Sequence, residues 1–234
     1  MTAGAAAVAT AIWTAAWTAA CVMGGSPAGP VVNEHHSVER GAATQARVEI
    51  DMSPGDLEVR SGAKPLFSGD FAFNVPELKP DIQYAVNGGT GALKVTQGSA
   101  SGNYENRWRL SLDDTTPLDV VVSLGAGDAD LVLGSVNLNS LTVRLGAGDL
   151  KIDLRGKPTK SYNVSVQAGA GDTTIELPSS VGISATTSGL IGDSSVSGLE
   201  KRGDRWINTR AEGSPVTIDV QVQHAVGDLR IRAD

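Results

Sequence analysis

Gly-Ala-Gly-Asp occurs three times in this chain, each time between two short runs that alternate apolar and polar residues. Val120-Val121-Val122-Ser123-Leu124 leads into Gly125-Ala126-Gly127-Asp128 and then Ala129-Asp130-Leu131-Val132-Leu133. Residues 141–145 lead in the same way into Gly146-Ala147-Gly148-Asp149 and residues 150–154, and residues 164–168 into Gly169-Ala170-Gly171-Asp172 and residues 173–177. Shorter copies stand at Gly55-Asp56, Gly192-Asp193 and Gly227-Asp228. Alternation with period two is the pattern of a half-buried strand. Glycine reaches positive φ without a Cβ clash, and aspartate accepts hydrogen bonds from backbone N–H groups that a turn removes from the ladder. The motif therefore predicts a corner between two strands, with structural roles for its glycines and aspartates.

The spacing of the corners fixes the scale of the repeat. Asp128, Asp149, Asp172 and Asp193 follow one another at intervals of 21, 23 and 21 residues. One unit is then two strands and two corners. Such a unit cannot bury its own apolar face and must stack on its neighbours, so the expected fold is all-β and solenoid-like. The last interval, from Asp193 to Asp228, is 35 residues. The insertion at residues 199–213, which holds Trp206, predicts a long loop or an added hairpin at one edge.

The remainder is consistent with strands. Residues 46–52 and 57–60 alternate around Pro54-Gly55-Asp56, and further strand patterns cover residues 66–74, 81–86, 91–95 and 107–112. Pro76 and Pro80 exclude a central strand between residues 75 and 80. Valine, leucine, isoleucine and threonine carry the apolar load, with only 4% aromatic residues and 28 glycines. A net charge of −7 without a basic cluster argues against a nucleic-acid partner.

Residues 1–23 contain no charged side chain and suit the apolar region of an export signal better than a membrane span. They include Thr18-Ala19-Ala20-Cys21, which resembles a bacterial lipobox with Cys21 as the lipidated residue. The resemblance departs from the pattern at Thr18, where leucine is usual, and plain secretion or an uncleaved anchor are the alternatives. Residues 24–42 read as a flexible linker, rich in Gly, Pro and Ser at its start. Cys21 is the only cysteine, which leaves no intrachain disulfide, and three scattered histidines do not make a Cys/His metal site.

Two stretches carry a family likeness: Val48-Glu49-Ile50-Asp51-Met52-Ser53-Pro54-Gly55-Asp56-Leu57 and Phe73-Asn74-Val75-Pro76-Glu77-Leu78-Lys79-Pro80. They resemble the N-terminal toast-rack domain of bacterial envelope proteins. The repeats from Leu118 onward are similar to the adjoining β-stack, seen at the C-terminus of cell-wall-active antibiotic response proteins. The resemblance implies a toast-rack region over residues 43–117 and a repeat stack over residues 118–234, packed as one continuous domain. It implies no enzyme.

The residues add a functional expectation. No nucleophile elbow, HExxH or P-loop is present, and no catalytic residue or cofactor is assigned. His224 lies within a strand pattern, as a packed or solvent-facing residue. The expected role is an exported, envelope-tethered binding, scaffold or sensing module, adhesin-like in character. It would contact an envelope protein or cell-wall component and be held at the membrane through its N-terminus. Exposed strand edges also allow self-association. Two aromatic-basic groups are candidate contact patches: Tyr104 with Arg107, Trp108 and Arg109, and Arg202 with Arg205 and Trp206. The competing reading makes both tryptophans plugs of the core. An envelope polysaccharide-active or calcium-binding solenoid is the alternative function. Calcium-binding β-rolls use Gly-Gly-x-Gly-x-Asp with a period of nine, whereas here only Asp130 adds a second aspartate to a corner, far from the six or more oxygens calcium takes.

Overall fold

The computed structural model describes residues 28–100, 102, 104–189 and 191–234. The apolar segment 1–23 with Cys21, and residues 24–27 of the linker, lie outside the described residues. The strands of the first part are β1 (Val32–Val38), β2 (Gln45–Pro54), β3 (Asp56–Ala63), β4 (Phe67–Phe73), β5 (Asp81–Asn87), β6 (Thr90–Thr96) and β7 (Asn106–Asp113). Then come β8 (Leu118–Ala126), β9 (Ala129–Val132), β10 (Leu138–Ala147), β11 (Leu150–Asp153), β12 (Tyr162–Ala170) and β13 (Thr173–Leu177). The last are β14 (Gly182–Ser188), β15 (Ser194–Ser197), β16 (Glu200–Arg202), β17 (Arg205–Ile207), β18 (Thr217–Val226) and β19 (Leu229–Ala233). Residues Pro76–Leu78, between the two prolines, form a single 3-10 turn.

These strands make two sheets. The first runs β1-β4-β7-β3-β9-β11-β13-β19-β15, and the second β16-β17-β14-β18-β12-β10-β8-β2-β6-β5. At each Gly-Asp position the chain leaves the second sheet and enters the first, as in β8 to β9 and β10 to β11. Each such strand pair is one rung. Neighbouring rungs pair in parallel and in register, so that Val122, Val143, Val166 and Val222 stand in one column and Leu131, Ile152, Ile175 and Ile231 in another. Both columns are buried between the sheets. A strand with period two presents one face only, so the repeat stacks like on like and a single core runs through all rungs.

At the N-terminal end the core widens, and aromatic side chains fill it. Phe71 lies edge-on to Trp108, with ring centroids 5.2 Å apart, and Phe67 packs behind it. Trp108 is fully buried. Its strand β7 points Arg107 and Arg109 outward and Trp108 inward, so the first aromatic-basic patch is corrected: the indole belongs to the core and only the arginines reach solvent.

Two further differences from the sequence reading have local causes. Val32–Val38 is a strand at the edge of the first sheet rather than linker, paired antiparallel with β4. Its residues Asn33, Glu34, His35, His36 and Ser37 give no hydropathy alternation, yet it is held by side chains. Glu34 accepts from Lys79 and contacts His36 at 3.0 Å each, and the His36 ring stands edge-on to Phe71. The second difference is the rung order. β18 and β19 lie between the rung of β12–β13 and that of β14–β15, so the last repeat in sequence is not the last in space. The insertion at residues 199–213 supplies the hairpin β16–β17, which covers the edge of the second sheet beside β14.

Candidate functional site

The corners align along one edge of the stack. Gly55, Gly127, Gly148, Gly171, Gly192 and Gly227 all have positive φ, between 120° and 147°. At Gly148 (φ 126°) a Cβ would fall on the carbonyl oxygen of Gly127 in the next rung, so both the dihedral and the close approach demand glycine. The first glycines of the motif, Gly125, Gly146 and Gly169, form a second column, in which an added Cβ would meet the backbone of the preceding rung.

The aspartates form a ladder. Asp149 N–H donates to Asp128 Oδ1 at 2.9 Å, and Asp172 N–H to Asp149 Oδ1 at 2.9 Å. Asp228 N–H donates to Asp172 Oδ1 at 3.1 Å, and Asp193 N–H to Asp228 Oδ1 at 3.3 Å. Each carboxylate thus caps the corner of the neighbouring rung, and the ladder follows the spatial order, 172 to 228 to 193. The hydrogen bond from Asp228 N–H, then that from Arg230, holds the Asp172 carboxyl below the usual carboxylate range. Among the described residues no three His, Cys, Asp or Glu side chains converge as the ligands of a metal ion would.

On the outer face of the first sheet the ladder borders an open trough of about 500 Å³. Counting two residues on from Asp56, Asp128, Asp149, Asp172 and Asp228 gives Glu58, Asp130, Lys151, Thr174 and Arg230, all of which line it. Strand alternation from each corner is the signal that finds them, although Asp130 alone stands out in the sequence. Arg107 and Arg109 close the N-terminal end, near Asp56 (3.8 Å) and Glu58 (3.7 Å). Arg60 bonds Glu58 and Asp130 at 2.7 and 2.9 Å, and Arg230 bonds Asp172 and Asp228 at 3.2 and 2.8 Å. These pairs are exposed, so each adds little to stability. Their effect is to hold a mixed-charge array in place across rungs.

The outer face of the second sheet differs. Beside the corners it carries a groove of about 570 Å³, floored by Gly125, Gly146 and Gly169 and bordered by Ser123, Arg144 and Gln167. The second aromatic-basic patch lies at the far end of this sheet. Trp206 packs partly against the core beneath Lys201, whose ammonium is 5.6 Å from the ring centroid. Arg202 and Arg205 pair with Glu212 and Asp219, both at 2.8 Å. The two patches sit on different sheets at opposite ends of the stack and are not brought together. Tyr104 packs partly buried against the core. His224 is fully buried in the column of Met52, Leu124, Leu145 and Ala168, and its Nε2 lies 2.9 Å from the Gly171 carbonyl oxygen.

Two sheets of parallel, in-register rungs joined at aligned corners define a β-stack that presents broad faces rather than an enclosed pocket. The chain belongs to the toast-rack family: the model of its N-terminal domain ("N-terminal domain of toast_rack, DUF2154") matches residues 27–176, through most of β13. A candidate cell adhesion protein from Clostridium sporogenes superposes with a TM-score of 0.84 at 26% identity, covering 88% of this chain and 100% of that one. A candidate adhesin from Bacteroides fragilis aligns over 88% of this chain and 98% of its own at 12% identity, with a TM-score of 0.32. One from Parabacteroides distasonis aligns over 87% and 97% at 11% identity, with a TM-score of 0.28. A comparison with curated proteins finds no match.

Proposed function

We propose that this chain is an exported, envelope-tethered, adhesin-like binding module, a solenoid-like stack without enzymatic activity. The observation that carries the reading is the continuous mixed-charge face of the first sheet. Nine strands at about 4.8 Å spacing give a surface about 40 Å across, fixed by the corner ladder and by ion pairs between rungs. A rigid, extended, polar face suits contact with another surface better than capture of a small molecule, for which sites are concave and mostly apolar. The likeness to the candidate cell adhesion protein of Clostridium sporogenes, over 88% of this chain, supports the same reading. So does the uncharged segment 1–23, suited to export. The partner under this reading is an envelope protein or a cell-wall component.

The test is adhesion of beads coated with the chain to bacterial envelope fragments. Beads carrying the native chain are expected to be retained, with at least threefold loss on reversing Lys151→Glu and Arg230→Glu together. Retention no better than that of uncoated beads would remove the proposal. Retention untouched by the double reversal would move the contact off this face.

A further inference from the structure

The large apolar side chains that remain exposed are not scattered. Among the described residues they are Val31, Val32, Ile191 and Val226, at 41%, 44%, 71% and 49% exposure. All four lie on the corner edge. Val226 is the last residue of β18, immediately before the corner Gly227-Asp228, and Ile191 bridges to it from the adjacent rung. Val32 opens β1 opposite Phe73, which pairs with Asn106, and Asn106 in turn donates through Nδ2 to the Pro54 carbonyl at the first corner. Between these two ends the register aligns Pro54, Ala126, Ala147 and Ala170 with Val226, and the three alanines are exposed. The edge is therefore an apolar ridge, one residue per rung, with a valine or isoleucine pair at either end.

The chain outside the described residues joins this same edge. The first described residue is Ala28, and Gly29 N–H bonds the Asn74 carbonyl beside the end of β4, on the corner side. Ala28 lies seven positions after Cys21, a reach of at most about 25 Å. Ahead of them stand residues 1–20, without a charge. A tether at Cys21 thus holds the corner edge, and not the opposite edge, close to whatever surface the tether enters.

We propose that the corner ridge rests against the lipid surface, so that the two broad sheets stand upright from the membrane with their outer faces turned sideways to partners. This rests on the tethered reading above. The lipid it fits is zwitterionic. Asp56, Asp128, Asp149, Asp172, Asp228 and Asp193 run beside the ridge, and their carboxylates disfavour an anionic surface.

The experiment is hydroxyl-radical footprinting of the full chain, coupled through its single cysteine, Cys21, to maleimide-bearing lipid in phosphatidylcholine vesicles. Coupling imposes the tether whatever a cell does to Cys21. Metabolic labelling with palmitate tests the tethered reading separately. Oxidation of Val31, Val226 and Ile191 is expected to fall at least threefold on coupling, while Lys157 and Pro158 on the opposite edge keep their rates. Phosphatidylglycerol vesicles are expected to give less protection. The double variant Ile191→Glu with Val226→Glu, both at exposed positions, is expected to lose the protection at Val31 as well, with unchanged melting. Three results would each overturn the proposal: unchanged oxidation of the three residues, equal protection of both edges, or full protection in the uncoupled protein, which would mean that the N-terminal segment itself covers the ridge.

Discussion

Replacing Gly148 by alanine tests whether the corners hold the stack together. At φ 126° an L-residue costs about 1–3 kcal/mol. The new Cβ also meets the Gly127 carbonyl oxygen, which is backbone and cannot swing away. Relief requires the two rungs to part locally. That movement loosens Gly127 N–H to the Ala147 carbonyl (2.9 Å), Ala129 N–H to the Asp149 carbonyl (2.9 Å) and Asp149 N–H to Asp128 Oδ1 (2.9 Å). At about 1 kcal/mol for each bond weakened, the total is about 4–6 kcal/mol, a large share of a stability of about 5–15 kcal/mol. Gly88 supplies the control: its φ is also positive (56°), but no atom lies within 4 Å of an added Cβ, so Gly88→Ala carries only the dihedral cost of about 1–2 kcal/mol. Urea unfolding of both variants, compared at equal m-value, separates the two terms. A Gly148→Ala variant within about 1 kcal/mol of Gly88→Ala would refute the claim that rung-to-rung contact at the corner stabilises the fold.

The two tryptophans should part company in the same assay. Trp108→Ala, which empties a fully buried site against Phe71, is expected to cost about 3–5 kcal/mol, whereas Trp206→Ala, at a partly exposed hairpin, should cost well under half of that. Trp108→Phe is expected to be much milder than Trp108→Ala, because the indole N–H has no hydrogen-bond partner to lose. Acid should weaken the fold partly through Asp113. Burial pushes its carboxyl up, but hydrogen bonds from the Thr116 hydroxyl and from Thr115 and the Thr116 backbone outweigh this and leave it below the ordinary 3.8. A lowered folded value means that its contribution is present above the ordinary pKa and is lost as pH falls through and below it. Melting temperatures of Asp113→Asn should accordingly lie below those of the native chain at neutral pH and converge with them towards pH 2, and parallel curves would count against the assignment.

Much of the architecture is legible in the sequence because a period of two is a strong signal where one face is buried. Val120, Val122 and Leu124 announce their strand, and the segment from Val48 to Pro80 announces the family. The same period separates Trp108 from Arg107 and Arg109, which are adjacent in sequence and on opposite faces in space. β1 is hidden for the opposite reason: it is held by Glu34 meeting His36 on its own strand and Lys79 beyond the 3-10 turn, and by His36 against Phe71 of β4, and a polar edge strand leaves no trace in hydropathy. The charged trough is half legible. Its corner aspartates are marked by glycine, while Lys151 and Arg230 become visible only after counting two residues on from each corner. Rung order has no sequence signal, since Val220 would fit the column beside Val164 or beyond Ala185 equally well by type.

That order constrains how the chain can assemble. β14 and β15 are complete by residue 197, yet their parallel partners β18 and β19 extend to residue 233. Rungs built from residues 45–177 can dock one after another as they emerge, but the rung of β14–β15 has no neighbour to join until the chain has passed it, turned back through the hairpin and threaded one more rung into the gap. Closure of the far end therefore waits until β18 and β19 have followed, and it depends on pairing between strands distant in sequence, the kind whose formation is slow. A chain carried unfolded across a membrane would keep that end open until β19 had crossed.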